Sequence, residues 1–421
     1  MDRTQSGFGS WALAFSLKPI AFAATLCAFL VASVAAEDWP QFRGPGGQGH
    51  SSETTAPLVW SETKNIKWKS PVPGTGWSSP VVADGRVWLT TATGGRDVSL
   101  RALAFDAESG RELVNVEVFR PRRSGAINPK NSHASPTPIV EGDRVYVHFG
   151  AEGTAALTTS GDIVWTARFS YESQHGNGGS PILFGDLLIF SCDGSDDAFV
   201  VALDKRTGKV RWKTGRRTPF DQAYSTPLAI RVGDRDQIVS VGAYRAGAYD
   251  PQNGKEIWRI SYRDGFSNVP RPVFGYGLVF IATGFQEPSL LAVRADGSGD
   301  VTKTHLAWSL DRSAPLTPSP LLVGNELYIV NDVGIATCVD ARTGQLHWRQ
   351  RLNGNFSASP VYAAERIYFL SEEGVATVLA PGTTFQKLAV NTLDGSTLAS
   401  IAASGGSFFI RSDSSLYRIA E

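Results

Sequence analysis

The sequence predicts an all-β fold, a β-propeller of eight four-stranded antiparallel blades closed into a ring by an N-terminal strand. Three observations predict it. A short pattern recurs eight times, and a turn-and-tryptophan pattern follows it in several copies. The composition is also that of many short strands, with 43 Gly, 23 Pro and 11 Trp against one Met in 421 residues.

The recurring unit is a small residue and a proline, then apolar residues, a Gly/Asp turn, and an apolar pair seven and eight positions on. Pro80 leads to Val87-Trp88, Pro138 to Val145-Tyr146, Pro181 to Leu188-Ile189 and Pro272 to Val279-Phe280. Pro320 leads to Leu327-Tyr328 and Pro360 to Ile367-Tyr368, while Pro227 takes a longer turn before Ile238-Val239. Ile401 stands in for the proline before Phe408-Phe409. The starts lie mostly 40 to 48 residues apart, with one gap of 58 after Pro80 that marks an insertion before the second blade. Runs such as RVYVHFG and ELYIVND are β-branched and aromatic, as strands require, and GD or GN turns bound them.

The second half of several units is sharper. ALDKRTGKVRW ends at Trp212, AYDPQNGKEIW at Trp258 and CVDARTGQLHW at Trp348, with a weaker form, AFDAESGRELV, ending at Val114. Gly supplies positive φ in this tight turn and Asp caps it. The Trp then falls in the outer strand, where a large flat ring can fill the space between blades. The last unit is too short for four strands, and Ile66-Lys67-Trp68-Lys69-Ser70 reads like a stray copy of Val210-Arg211-Trp212-Lys213-Thr214. The N-terminal strand is therefore expected to complete the final blade, which removes exposed sheet edges. The chain divides into a secretory signal peptide at 1–36, an N-terminal extension at 37–64 and the propeller at 65–421. Whether the extension packs on the ring or stays loose is not readable.

Arg3 and Lys18 precede the apolar run 19–34, and Val34-Ala35-Ala36 offers small residues before Glu37, the order of a secretory signal. Cys27 sits inside the run rather than after it, a poor position for lipid attachment. A periplasmic or extracellular chain with no stable membrane insertion after cleavage is expected. Cys192 and Cys338 lie far apart inside apolar runs and read as separate buried thiols. Forty basic residues balance forty acidic ones, so the net charge recruits neither nucleic acid nor an anionic membrane. A closed ring gives no reason for assembly through strand edges, and a monomer is expected.

The A-x-D-x-x-T-G-x-x-x-W element resembles the repeat of pyrroloquinoline quinone (PQQ) enzymes and of the outer-membrane assembly lipoprotein BamB. The opening Asp38-Trp39-Pro40-Gln41-Phe42-Arg43-Gly44-Pro45 is similar to the start of secreted planctomycete propellers. The resemblance covers essentially the whole mature chain and implies architecture more than activity. For a PQQ dehydrogenase it implies a quinone stacked between a Trp and a disulfide of adjacent cysteines, with calcium held by Glu, Asn and Asp. This sequence has no adjacent cysteines and no C-x-x-C-H haem site. No cofactor is expected, with PQQ and calcium as the alternative. For the assembly lipoprotein it implies a role in outer-membrane protein insertion.

Other catalytic signatures are missing. There is no G-x-S-x-G, and the six histidines form no H-E-x-x-H or close H-x-H pair. Gly44-Pro45-Gly46-Gly47-Gln48-Gly49 matches G-x-G-x-x-G by letter but follows no strand and opens no helix, so it reads as a loop. The acidic turns at Asp193, Asp196 and Asp197 and at Asp296 and Asp300 are weak calcium candidates without a properly spaced Glu, and read as tight turns. Arg120, Arg122, Arg123 and Lys130 cluster in the insertion before the second blade, as a solvated loop or a patch for an acidic partner or glycan.

Any ligand pocket belongs at the mouth of the central channel, where loops preceding the innermost strands converge. No catalytic residue is assigned. The candidate ligand-binding residues are Trp77, Asn131, His133, His175, Tyr224, Arg271 and Asn355, with Ser78, Asn177, Asn268, Thr317 and Phe356 beside them. The leading expectation is a non-catalytic propeller that contacts an envelope or secreted protein partner, not nucleic acid. Carbohydrate or small-molecule binding at the channel mouth and a PQQ-dependent dehydrogenase are the alternatives.

Overall fold

The apolar runs become strands sealed on both faces by neighbouring blades. In one blade the third strand, Ala198–Asp204, is buried at every residue, whereas the outer strand, Val210–Gly215, fully buries only Trp212. The computed structural model describes residues 7–12, 37–95, 97–122, 125, 127–216 and 222–421. Residues 7–12 have no regular secondary structure, and the rest of the proposed signal, with Cys27, lies outside the described residues. Among the described residues no helix is long and apolar enough to cross a membrane.

Eight sheets follow in chain order, at 81–119, 139–167, 182–215, 228–261, 273–310, 321–351, 361–392 and 402–419. The first seven have four antiparallel strands ordered from the axis outward. The eighth has three of its own, and Ile66–Pro71 completes it by pairing antiparallel with Ser415–Ile419. Two additions depart from the uniform expectation. Gly299–Asp300 pairs in parallel with the outer strand of blade 4, and Gly265–Phe266 pairs with Phe285–Gln286 outside the blades.

The turn-and-tryptophan element locks each blade to the next. Asp204 Oδ1 accepts the backbone N–H groups of Arg206 and Thr207 and the Thr207 hydroxyl, and Asp340 does the same for Arg342 and Thr343. The following glycine has a second duty besides its positive φ. A Cβ on Gly254 (φ 72°) would lie 2.5 Å from the Trp212 ring of the preceding blade. The indole N–H of Trp212 then donates to Pro251 O at 2.8 Å. Trp68, Trp165, Trp308 and Trp348 make the same donation to Ala107, Lys205, Ala341 and Gly382 O. Trp258 reaches Ala295 O through the side chain of Gln237. Blade 1, which carries Val114, sets that side chain against Gly161 and uses Arg86 as donor to Thr159 O.

At the axis the small residue before each proline is explained. The amide of Ser79 donates to Thr137 Oγ1, Thr137 to Ser180, and Ser180 to Thr226, each from one blade to the next. Arg271 donates to Ser319, Ser319 to Ser359, Ser359 to Ser400, and Ser400 back to Ser79, at 2.9–3.0 Å. Only the step onto Arg271 lacks a hydroxyl acceptor. Proline is tolerated next because it opens a strand whose outer edge faces the channel.

The extension 37–64 packs on the ring at the far end of these innermost strands. Trp39 exchanges both backbone hydrogen bonds with Val82 of blade 1, and Val140 of blade 2 donates to Pro40 O. Phe274 of blade 5 donates to Gln48 Oε1, and His50 Nε2 lies 2.6 Å from Leu322 O of blade 6. Gly49 and Ser51 bond Tyr362 of blade 7, and Ser404 of blade 8 donates to Glu37 O. Trp60 stacks on Tyr368, with ring centroids 6.3 Å apart, beside blade 7, whose outer strand carries Ala389 in register with Val378. The extension is thus a plug across the channel.

Two outcomes are expected. Deleting 65–72 leaves blade 8 with an open edge, so the product should be insoluble or melt without cooperativity; a soluble, cooperatively melting product would contradict the closure. His148 is fully buried, and burial holds its imidazole down to about 3. The unfolded chain takes up that proton near 6.5, so the contribution is complete above that pH and is lost as pH falls, at about 1.4 kcal/mol per unit between about 6.5 and 3. Urea unfolding at pH 7 and pH 5 should show His148→Asn losing this part of the acid sensitivity.

Candidate binding site

The lead-in segments before the innermost strands converge at the end of the channel opposite the plug. They enclose a cavity of about 550 Å³. Its wall carries the hydroxyl ring: Ser79, Thr137, Ser180, Thr226, Ser319, Ser359 and Ser400 all line it. Phe42, from the plug, also reaches the lining. Trp77, Tyr224, Phe266 and Phe285 supply aromatic surface, and among the described residues Asp332 is the one carboxylate in the lining. Its Oδ2 accepts the backbone N–H of Leu316 at 2.8 Å and of Thr317 at 3.3 Å.

The long insertion before blade 2 crosses the mouth. Asn128 N and Asn131 Nδ2 both donate to His175 O of the blade 3 lead-in, at 3.2 and 2.7 Å. From the same loop Lys130 Nζ pairs with Glu372 of blade 7 at 2.8 Å. Arg120, in the same basic cluster, pairs with Glu117, and Arg123 lies outside the described residues. On the other side the pairing of Gly265–Phe266 with Phe285–Gln286 raises two phenyl rings 5.6 Å apart, with Phe285 54% exposed.

Of the residues singled out from sequence, Trp77, Asn131, His175 and Tyr224 meet around this cavity, as does Thr317. The His175 and Tyr224 rings are 6.2 Å apart, and burial pushes the Tyr224 phenol well up. His133 is half-buried, which lowers its imidazole, and lies outside the lining. Asn355 is exposed and donates to Glu373. Arg271 lies at the plug, its Nη1 donating to Phe42 O at 2.7 Å. Phe42, Lys130, Phe266, Phe285 and Asp332 complete the site and were not singled out as ligand residues.

The weak calcium candidates are committed elsewhere. Asp193 is buried in an ion pair with Arg216, and Asp197 pairs with Lys213 at 3.2 Å. Asp300 caps Thr302, and Asp296 lies 3.6 Å from His305 Nε2. Cys192 and Cys338 are free and buried. Among the described residues no group of three His, Cys, Asp or Glu is placed to hold a metal. The cavity's carboxylate among the described residues, Asp332, is already spent on the backbone amides of Leu316 and Thr317.

Three buried guanidiniums stand close behind the cavity, none of them in an ion pair among the described residues. Arg411 Nη1 donates to Ser78 Oγ, between Trp77 and Ser79 of the lining, at 2.9 Å. Arg43 follows Phe42 and donates to Gln48 O at 2.9 Å, and Arg271 holds Phe42 O. All three are at most 2% exposed, and the Nε of each has no partner. Burial lowers each to about 9, and Arg271 adds to the depression of Arg43.

A closed ring of tryptophan-docked blades around an axial cavity defines a quinoprotein-like β-propeller. The chain belongs to the family described as outer membrane protein assembly factor BamB, whose model matches residues 51–181, 101–329 and 300–416. In fold it is similar to BamB from Moraxella catarrhalis, at 13% identity over 85% of this chain and 97% of that one, with a TM-score of 0.60. It is also similar to the quinohemoprotein alcohol dehydrogenase ADHIIG from Pseudomonas putida HK5, at 11% identity, covering 91% and 80%, with a TM-score of 0.63. A computationally designed protein, Ika8, matches at 12% identity, covering 86% and 99%, with a TM-score of 0.59. No curated protein matches the sequence.

Proposed function

We propose that this chain is a non-catalytic propeller of the cell envelope that binds a protein partner on the face carrying the cavity mouth, in outer membrane protein assembly. Its family supports the setting, and the signal-like segment 1–36 supports a periplasmic or extracellular location. The observation that carries the reading is the asymmetry of the two faces. One end of the channel is filled by the chain's own extension, while the other is built up by an insertion and an aromatic strand pair with an exposed Phe285 around an open cavity. Exposed aromatic rings on a rigid frame are the groups that anchor protein interfaces. Among the described residues the cavity's one carboxylate, Asp332, is spent on two backbone amides, which supports binding over catalysis.

A second reading is carbohydrate or small-molecule binding inside the cavity. What favours it is a volume of about 550 Å³ with both aromatic and hydroxyl lining, within the roughly 300–1,000 Å³ usual for ligand sites.

Photo-crosslinkers placed at Phe285 and, on the plug face, at Thr55 test the first reading in envelopes of cells making the chain. The expected result is an adduct with a protein of outer membrane assembly from position 285 and none from position 55. Equal labelling from both faces, or none from 285, would contradict it.

A further inference from the structure

The hydroxyl ring has capacity left over. Ser79, Thr137, Ser180, Thr226, Ser319 and Ser400 each accept a neighbour's amide, and among the described residues none has an acceptor for its own hydroxyl proton. Six hydroxyls whose donor is not committed to another described residue therefore line one cavity. A serine or threonine hydroxyl offers one donor and two lone pairs, so accepting the ring bond leaves the donor free. The group that answers such a crown is rich in acceptor oxygens.

The charges behind the wall choose its sign. Arg43, Arg271 and Arg411 have no ion-pair partner among the described residues, and arginine does not shed its proton as lysine does. Two of them are tied to Phe42, by sequence or by hydrogen bond, and the third to Ser78, so each is about one residue from the lining. Charges held in a low-dielectric wall are poorly screened and focus their field into the cleft they surround. Among the described residues the one carboxylate of the lining is Asp332, whose Oδ2 accepts two amides, while Glu372 is paired with Lys130 and Asp193 with Arg216. Trp77 and Tyr224 line the same cavity and bring aromatic edges and faces to a sugar ring.

Resting on the reading of the cavity as a ligand site, we propose that it takes an acidic saccharide. The sugar carboxylate sits at the hydroxyl crown under the field of the three buried arginines, and a sugar ring lies against Trp77 and Tyr224.

The probe is digalacturonate, titrated into the full chain by calorimetry and thermal melting. Its methyl ester keeps the rings and removes the charge, and maltose serves as a neutral sugar. The acid should bind saturably and raise the melting temperature. The ester should bind at least about tenfold more weakly, the effect of losing one charge-assisted hydrogen bond. Arg411→Gln should weaken the acid by a similar factor without changing the ester, and Arg411→Lys should restore it. The acid-against-ester comparison on the unaltered chain stands even if Arg411→Gln does not fold. Equal binding of acid and ester, or binding of maltose alone, overturns the acidic specificity and leaves the cavity as a sugar site. Binding of none of the three overturns both.

Discussion

A propeller blade buries its faces only against its neighbours, so everything depends on how one blade is held to the next. Here two linkages do this at different radii. Near the rim an indole N–H reaches a turn carbonyl across the blade gap while its ring covers a glycine that no other residue could replace. At the axis the amide before each innermost strand donates to the hydroxyl before the next. The axial bond is the more constraining of the two. It demands a hydroxyl on a short side chain, and it leaves no amide in the hub of those seven steps without a partner.

That constraint has a chemical consequence. The hub becomes a ring of hydroxyl donors, and the one blade that breaks the rule does so with Arg271, which turns to hold the plug. The extension then closes one end of the channel with backbone and side-chain hydrogen bonds to six of the eight innermost strands or the turns beside them. A through-channel becomes a vessel with a floor. Its open end is dressed by loops that vary in length, while the rigid ring beneath them stays regular, a division suited to recognition.

Much of this was legible because the repeat is periodic. The Pro-anchored starts and the Asp-x-x-Thr-Gly-x-x-x-Trp turns are local, so spacing alone exposes them, and the spare strand around Trp68 shows up as a copy of Trp212. Trp165 and Trp308 dock in the same manner but were not read from their spacing. Trp165 keeps the glycine four residues earlier without the preceding Asp, and Trp308 has Thr304 in that place. Trp60 and Phe42 were unreadable for a different reason. They serve blades hundreds of residues away or the axis itself, and no local pattern encodes such contacts. Among the mouth residues, Asn131 and His133 sit in one segment, yet only the first lines the cavity. The spare carboxylates of the acidic turns proved to be capping groups and ion-pair partners, which composition cannot distinguish from metal ligands.

The proposal that this hub binds without turnover is tested most directly by dye-linked oxidation of alcohols and sugars by the purified chain supplied with PQQ and calcium. Dye reduction no faster than in the protein-free control is the predicted result. Saturable, calcium-dependent turnover would contradict it and would place a redox centre in the cavity.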